Sequence, residues 1–223
     1  MIQLLKNKVA IVASNNEVVI SSVAQLFLKQ GASVMIVGTC ADALEDVLEA
    51  ENSSHCLWLQ ADMTDLLEAQ YCVSETVRRF GRADIFFYYP DAKDNRFFSE
   101  VNQTSQHTAI TYAQDTWSQL VDTVPTLRNS DFSHIIVVDE TPSDSELSYV
   151  GEVHSGNHRI RIDLINTQQR YQPKRQQKLT AYKQLTPERI ARLSLSVLVK
   201  EKQEEVEWNE VLSWTSEYLD TSF

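Results

Sequence analysis

Along the first 140 residues, short continuous apolar runs alternate with segments whose apolar positions recur every three or four residues. Val9 to Val12 is such a run, of the kind expected for a parallel strand buried on both faces. Asn15 or Asn16 then offers a helix cap. The apolar side of the helix that follows includes Val23, Leu26 and Phe27, and Gly31 stands just past its end. "ASVMIVG" reads as a second strand, "CADALEDVLEAENS" as a helix, and "HCLWLQAD" as a third strand. "DLLEAQYCVSETVRRFG" is a further amphipathic helix, with Arg78 and Arg79 in its last turn and Gly81 beyond. "ADIFFYYP" is a fourth strand, a long helix spans about Ser105 to Leu127, and "HIIVVDE" is a fifth strand. Strands alternating with helices of this length predict a parallel sheet with right-handed crossovers and helices on both faces.

The second half is less regular. In "HRIRIDLINTQ" (His158 to Gln168), Ile160, Ile162 and Leu164 alternate with Arg161 and Asp163. That period of two favours a strand, with a helix over His158 to Tyr171 as the alternative. "ELSYVGEVHSGNHRIRIDLIN" reads as two extended stretches around a Ser155-Gly156-Asn157 turn. "LTPERIARLSLSVLVKE" is a helix with Thr186 as cap, Pro187 in the first turn and Glu188 favouring the dipole.

At 223 residues the chain suits one sizeable α/β domain, 1–223, and no linker divides it. An apolar content of 43% is ordinary for a soluble protein, and no apolar run approaches the roughly 20 residues of a membrane span. "MIQLLKNKVA" lacks the apolar stretch and cleavage site of a secretion signal. Cys40, Cys56 and Cys72 form no C-x-x-C pair and suit a reducing compartment. A cytoplasmic location is expected.

Net charge is −11, unevenly spread. From His158 to Lys200 there are ten Lys/Arg and two Asp/Glu, whereas the last 23 residues hold seven Asp/Glu and one Lys. Such asymmetry fits an anionic partner, two segments facing each other, or solvated helix faces.

The order of these phrases resembles the short-chain dehydrogenase/reductase family. "LKNKVAIV" is similar to that family's opening strand, "QGASVMIVG" to its second, "LQADMTD" to its third with the acidic turn, and "VRRFGRADIFFYYPDA" to its approach to strand four. The likeness runs from Leu5 to about Ala92 and extends more weakly through Glu140. It implies a Rossmann-like, doubly wound three-layer α/β/α fold.

The residues that carry function in that family are absent. Its glycine turn, T-G-x-x-x-G-x-G, falls on Ala13, Ser14, Val18 and Ile20. Glycines there permit close approach of a pyrophosphate to the helix N-terminus, and branched side chains oppose it. Thr39 follows Gly38 where NADP-using relatives often carry a basic residue. Asp62 matches the family's adenine-contacting aspartate, and it equally reads as a cap for the next helix. The N-N-A-G motif is replaced by Tyr88, Tyr89, Pro90 and Asp91, which are expected to crowd the nicotinamide groove. Strand five ends in Asp139 and Glu140 where the resemblance calls for serine, and the supporting asparagine falls near Tyr112. The Y-x-x-x-K positions fall on Val153 and Asn157, and four residues beyond Tyr149 is again Val153. With a sixth strand at His158, the helix that bears Y-x-x-x-K is deleted or shortened.

Other chemistry is thinner still. His154 and His158 have the H-x₃-H spacing of helical metal ligands, but Ser155-Gly156-Asn157 lies between them and no third ligand is evident. Cys56 beside His55 sits in a predicted strand and reads as a buried thiol. Asp139 and Glu140 lie at a strand's carboxyl end, where α/β sites gather. Arg170, Lys174, Arg175 and Lys178 form a basic run without interleaved aromatics.

The sequence therefore predicts a fold kept and a redox site lost, with a binding, assembly or regulatory role, no cofactor and no metal. An oxidoreductase with an atypical NAD(P) pose is the alternative, and a polyanion or nucleic-acid binder through 158–200 the second. A homodimer is expected through the helix at 105–127, whose Ile110, Trp117, Leu120, Val121 and Val124 exceed what one core face needs. Trp208, Trp214 and Tyr218 suggest that the tail packs on the body or on a partner.

Overall fold

Every residue of the first strand is buried, because apolar side chains on both of its faces need cover that only flanking layers supply. In a computed structural model that describes residues 3–39, 54–63, 65–89, 132–143, 147–155, 158–171 and 181–200, that cover is provided by helices on the two faces of one sheet. The described elements are β1 (Val9–Ser14), α1 (Glu17–Lys29), β2 (Ser33–Gly38), β3 (Cys56–Gln60), α2 (Leu66–Phe80) and β4 (Ile85–Tyr89). They continue with β5 (Phe132–Ser143), β6 (Leu147–Ser155), β7 (His158–Tyr171), β8 (Ala181–Gln184) and α3 (Pro187–Lys200).

The strand order is β3-β2-β1-β4-β5-β7-β6, with β8 pairing the end of β7. All neighbours from β3 to β7 are parallel, and β6 and β8 run antiparallel to β7. The chain winds outward from β1 in one direction and then, from β4, in the other. This is the Rossmann-like, doubly wound α/β arrangement expected from the sequence.

Alternate side chains divide the core in two. Ala10, Val12, Val34, Ile36, Phe87 and Ile136 face α1 and α3, while Ile11, Ala13, Met35, Val37 and Phe86 face α2. α1 buries Val19, Ile20, Val23, Ala24 and Phe27, and α3 buries Ile190, Leu195 and Val197 in the same layer. Gly31 and Gly81 follow α1 and α2 in the left-handed region, at φ 85° and 82°. Both are where the sequence puts the helix stops.

His158–Tyr171 is a strand, as its alternation favours, and it slots between β5 and β6. β6 and β7 form the antiparallel pair expected around residues 155–157. β5 and β7, of 12 and 14 residues, are longer than the strands beside β5 on its other side. β4 stops pairing β5 at Tyr88↔Val137, yet β5 continues to Ser143, opposite Gln169. With β8 opposite Gln168–Tyr171, this extension rises past the carboxyl ends of β1 and β4. The expected helices after residue 39 and at 105–127, and the tail beyond Lys200, lie outside the described residues.

Candidate functional site

In an open parallel sheet the crevice at the carboxyl ends of the strands, where the winding reverses, is the place for a ligand. Here it lies between β1 and β4, and the turn from β1 into α1 forms its floor. That turn is held by its own side chains. Ser14 Oγ accepts from the Asn16 backbone N–H at 2.9 Å. Asn16 Oδ1 accepts from Val19 N–H at 3.2 Å and so caps α1. Asn15 Oδ1 accepts from both Thr39 N–H, at 3.2 Å, and the Thr39 hydroxyl, at 3.0 Å. Gln60 Nε2 donates to the Thr39 carbonyl at 3.2 Å, which extends the network to β3. A chain of polar groups thus ties together the carboxyl ends of three adjacent strands.

Gly38 keeps one requirement of such a turn. A Cβ there would lie 3.0 Å from the Ser14 carbonyl oxygen, so β2 and the turn approach closely only because the residue is glycine. The other positions behave differently. Ile20 is 1% exposed and fills the layer between sheet, α1 and α3. Val18, by contrast, is 63% exposed at the start of α1. The branched chain at 20 therefore acts through core packing beneath the helix rather than by standing in the crevice.

Tyr88 and Tyr89 end β4 beside Ala13 and Ser14. Their rings are buried on opposite faces of the sheet, Tyr88 in the α2 layer and Tyr89 in the α1–α3 layer. The Tyr88 and Phe86 ring centroids are 5.9 Å apart with their planes nearly parallel. The aromatic bulk predicted at the crevice is spent in the two cores at its base.

Asp62 is not the helix cap. Asp65 takes that role, its Oδ1 accepting from Leu67 N–H at 2.8 Å and Glu68 N–H at 3.2 Å. Glu68 reaches back to the Asp62 N–H at 2.6 Å. The Asp65–Glu68 spacing is a capping-box pattern readable in the sequence, and the acidic turn one step upstream obscured it.

Asp139 and Glu140 lie in β5 where its pairing with β7 shifts register, between Asp139 and Pro142. His154 and His158 fall on two antiparallel strands rather than on one helix, so the helical metal-ligand spacing is not realised. Among the described residues no group of three or more His, Cys, Asp or Glu side chains could hold a metal ion. No described helix is long and apolar enough to cross a membrane. Cys56 and Cys72 are both buried. Burial pushes the Cys72 thiol up to about 12, only partly offset by the Thr76 hydroxyl, so it is a packing group and not a nucleophile.

A second polar cluster was not anticipated. His134 on β5 and Asp163 on β7 are 2% and 1% exposed, and His134 Nε2 donates to Asp163 Oδ2 at 2.6 Å. Arg161 adds its Nε to the same oxygen at 2.8 Å and a terminal nitrogen to Oδ1 at 3.2 Å. Burial alone raises the Asp163 carboxyl, but the hydrogen bonds from His134 and Arg161 outweigh it and hold the group below its ordinary value. The signal was present in "HRIRID": Arg159, Arg161 and Asp163 alternate with Ile160 and Ile162 and so share one face of the strand. The cluster sits within the sheet, where Asp163 pairs with Ile136, and away from the strand-end crevice.

No family model matches the sequence, and no curated protein does. Similar solved structures include a short-chain dehydrogenase/reductase described as a glucose/ribitol dehydrogenase from Brucella melitensis. It is 20% identical, with 63% of this chain and 60% of that chain covered at a TM-score of 0.46. A hydroxysteroid dehydrogenase from Escherichia coli is 21% identical, with 61% and 56% covered at 0.47. A short-chain dehydrogenase/reductase of unknown function from Caenorhabditis elegans, solved with cofactor, is 20% identical, with 61% and 54% covered at 0.42. The chain thus spans about 60% or less of these proteins' length. Identity at this level concerns the fold and not the chemistry.

Proposed function

We propose that this chain is a short-chain dehydrogenase/reductase-like protein that no longer binds a dinucleotide or transfers hydride, and that it acts as a binding or assembly protein. The observation that carries the reading is β6. Between β5 and β7, where the resembled family places the helix with its tyrosine and lysine, residues 147–155 form an antiparallel strand. A strand with no Y-x-x-x-K cannot present that acid/base pair. The β1–α1 turn supports the same conclusion, because Ser14, Asn15 and Asn16 spend their polar groups on the protein's own backbone and on Thr39.

Titration calorimetry with NAD⁺, NADH, NADP⁺ and NADPH tests the cofactor half of the proposal. No saturable binding is expected at concentrations up to on the order of 100 μM. A dissociation constant of tens of micromolar or tighter for any of the four would overturn it. Assay of a carbonyl panel with either reduced cofactor tests the catalytic half. Turnover lost in Asp139→Ala or Glu140→Ala would replace this reading with that of an oxidoreductase of unusual geometry.

A further inference from the structure

The amino ends of the strands form the edge opposite the crevice, and the described residues there are predominantly basic. Lys6 precedes β1, Lys29 closes α1, Arg78 and Arg79 close α2, Arg82 leads into β4, and Arg159 opens β7. Lys6 and Lys29 are exposed, and the side chains of Arg78, Arg79, Arg82 and Arg159 are 61%, 52%, 44% and 49% exposed. The acidic groups among them are few. Asp84 is buried, accepts from Val9 N–H and pairs with Arg82 and Lys8, Glu75 is taken up by Arg78 and Arg79, and Glu152 lies 3.9 Å from Arg159.

α3 ends at this same edge. It begins just after Leu185, whose N–H is bonded to Thr167 of β7 beyond the crevice end of the sheet. Its 14 residues span about 21 Å, roughly the length of a six-residue strand. Buried positions from Ile190 to Val199 lie in the α1 layer, so the helix runs down the sheet beside α1 instead of away from it. Lys200 therefore delivers residues 201–223 to the basic edge. That segment holds seven Asp/Glu against one Lys, together with Trp208, Trp214 and Tyr218.

We infer that the basic amino edge of the sheet is the docking surface for the chain's own C-terminal segment, 201–223. Opposite charge steers the contact, and the tether makes it intramolecular, with an effective concentration in the millimolar range. Exposed guanidinium planes at Arg78 and Arg79 suit indole rings as well as carboxylates. Reach is no obstacle. Twenty-three residues can extend over about 75 Å, more than twice the roughly 30 Å width of a seven-strand sheet. The docked segment occupies the surface that an external polyanion would otherwise take.

Zero-length carbodiimide coupling, which joins lysine amines to carboxylates in contact, tests this on the full chain with peptide mass spectrometry. Mixed ¹⁴N and ¹⁵N protein separates links within one chain from links between two. Lys6 and Lys29 are expected to couple to Glu204, Glu205, Glu207 or Glu210 within one chain. The yield should fall at least fivefold in 0.5 M NaCl, where the screening length is a few ångströms. It should fall similarly in Glu204→Lys/Glu205→Lys/Glu207→Lys, a variant that leaves every described element untouched. Tail links confined to Lys174, Lys178 and Lys183, links that join two differently labelled copies, or no tail links at all would each overturn the inference. So would links to the edge that are indifferent to salt.

Discussion

At the scale of single residues, the buried cluster of His134, Asp163 and Arg161 is the most consequential feature. A carboxylate 1% exposed is tolerable because three hydrogen-bonding nitrogens and at least one full positive charge surround it. Asp163→Asn removes the charge while leaving the guanidinium and imidazole in place, and is expected to cost about 3 kcal/mol in urea unfolding at pH 7. Replacing all three together, as His134→Leu/Arg161→Met/Asp163→Leu, should recover most of that loss, because no uncompensated buried charge remains. The pH dependence has a definite sign. The folded-state carboxyl titrates below its unfolded value, so its contribution is full above about pH 4 to 5 and is lost as pH falls through the folded value. The stability difference between the wild type and Asp163→Asn should therefore narrow as unfolding is repeated toward pH 3. A difference constant from pH 7 to pH 3 would mean that the carboxylate is not the group at work.

Cys72 gives a second check at this scale. With its thiol pushed up to about 12 and fully buried, it should resist alkylation by iodoacetamide at pH 8 in the folded protein and react once urea is added. Peptide mapping distinguishes it from Cys40 and Cys56. Labelling of native Cys72 within minutes would show that α2 opens readily.

At the scale of elements, the two helix stops separate conformational cost from steric cost. Gly81 has φ 82° and nothing within 4 Å of where a Cβ would stand. Gly81→Ala should therefore cost only the left-handed backbone penalty, about 1 kcal/mol. Gly31 has φ 85° and also meets the Gln3 side chain at 3.0 Å and 3.1 Å. Gly31→Ala should cost about 2 kcal/mol, and truncating the neighbour in Gln3→Gly/Gly31→Ala should return part of it. Equal losses at the two sites by urea denaturation would show that the contact with Gln3 contributes nothing. The helix starts are simpler. Asp65 accepts two backbone N–H groups, and Asp65→Ala should cost about 1 kcal/mol.

At the scale of the whole molecule, the open question is association. The sheet face formed by Ile135, Val137, Ile160, Ile162 and Leu164 is apolar throughout and is already buried within one chain. We propose that the chain forms a two-fold dimer through the apolar residues of its 105–127 segment. Light scattering at micromolar concentration should then give about twice the 25.5 kDa of one chain. A mass of 25.5 kDa that does not change with concentration would rule the dimer out.

The sequence by itself determined the elements of the first half, because their signals are local. The apolar run from Val9 to Val12, a cap at Asn15 or Asn16, the Gly31 and Gly81 stops and the apolar run of Ile85–Tyr89 each depend on a residue's own backbone or its immediate neighbours. It also favoured a strand from His158 to Gln168 over a helix, since a period of two suits a strand with two distinct faces, and the structure extends that strand to Tyr171. Tertiary structure alone decided what depends on residues far apart in the chain. β7 enters between β5 and β6, a choice among pairings that strand patterns do not rank. Ile20 turns into the core because α3, some 170 residues later, supplies the other wall. Asn15 finds Thr39 across 24 positions, and His134 finds Asp163 across 29. Hydrogen bonds between side chains carry no periodicity. They form where the sheet sets two strands about 5 Å apart, and only the assembled register says which residues those are.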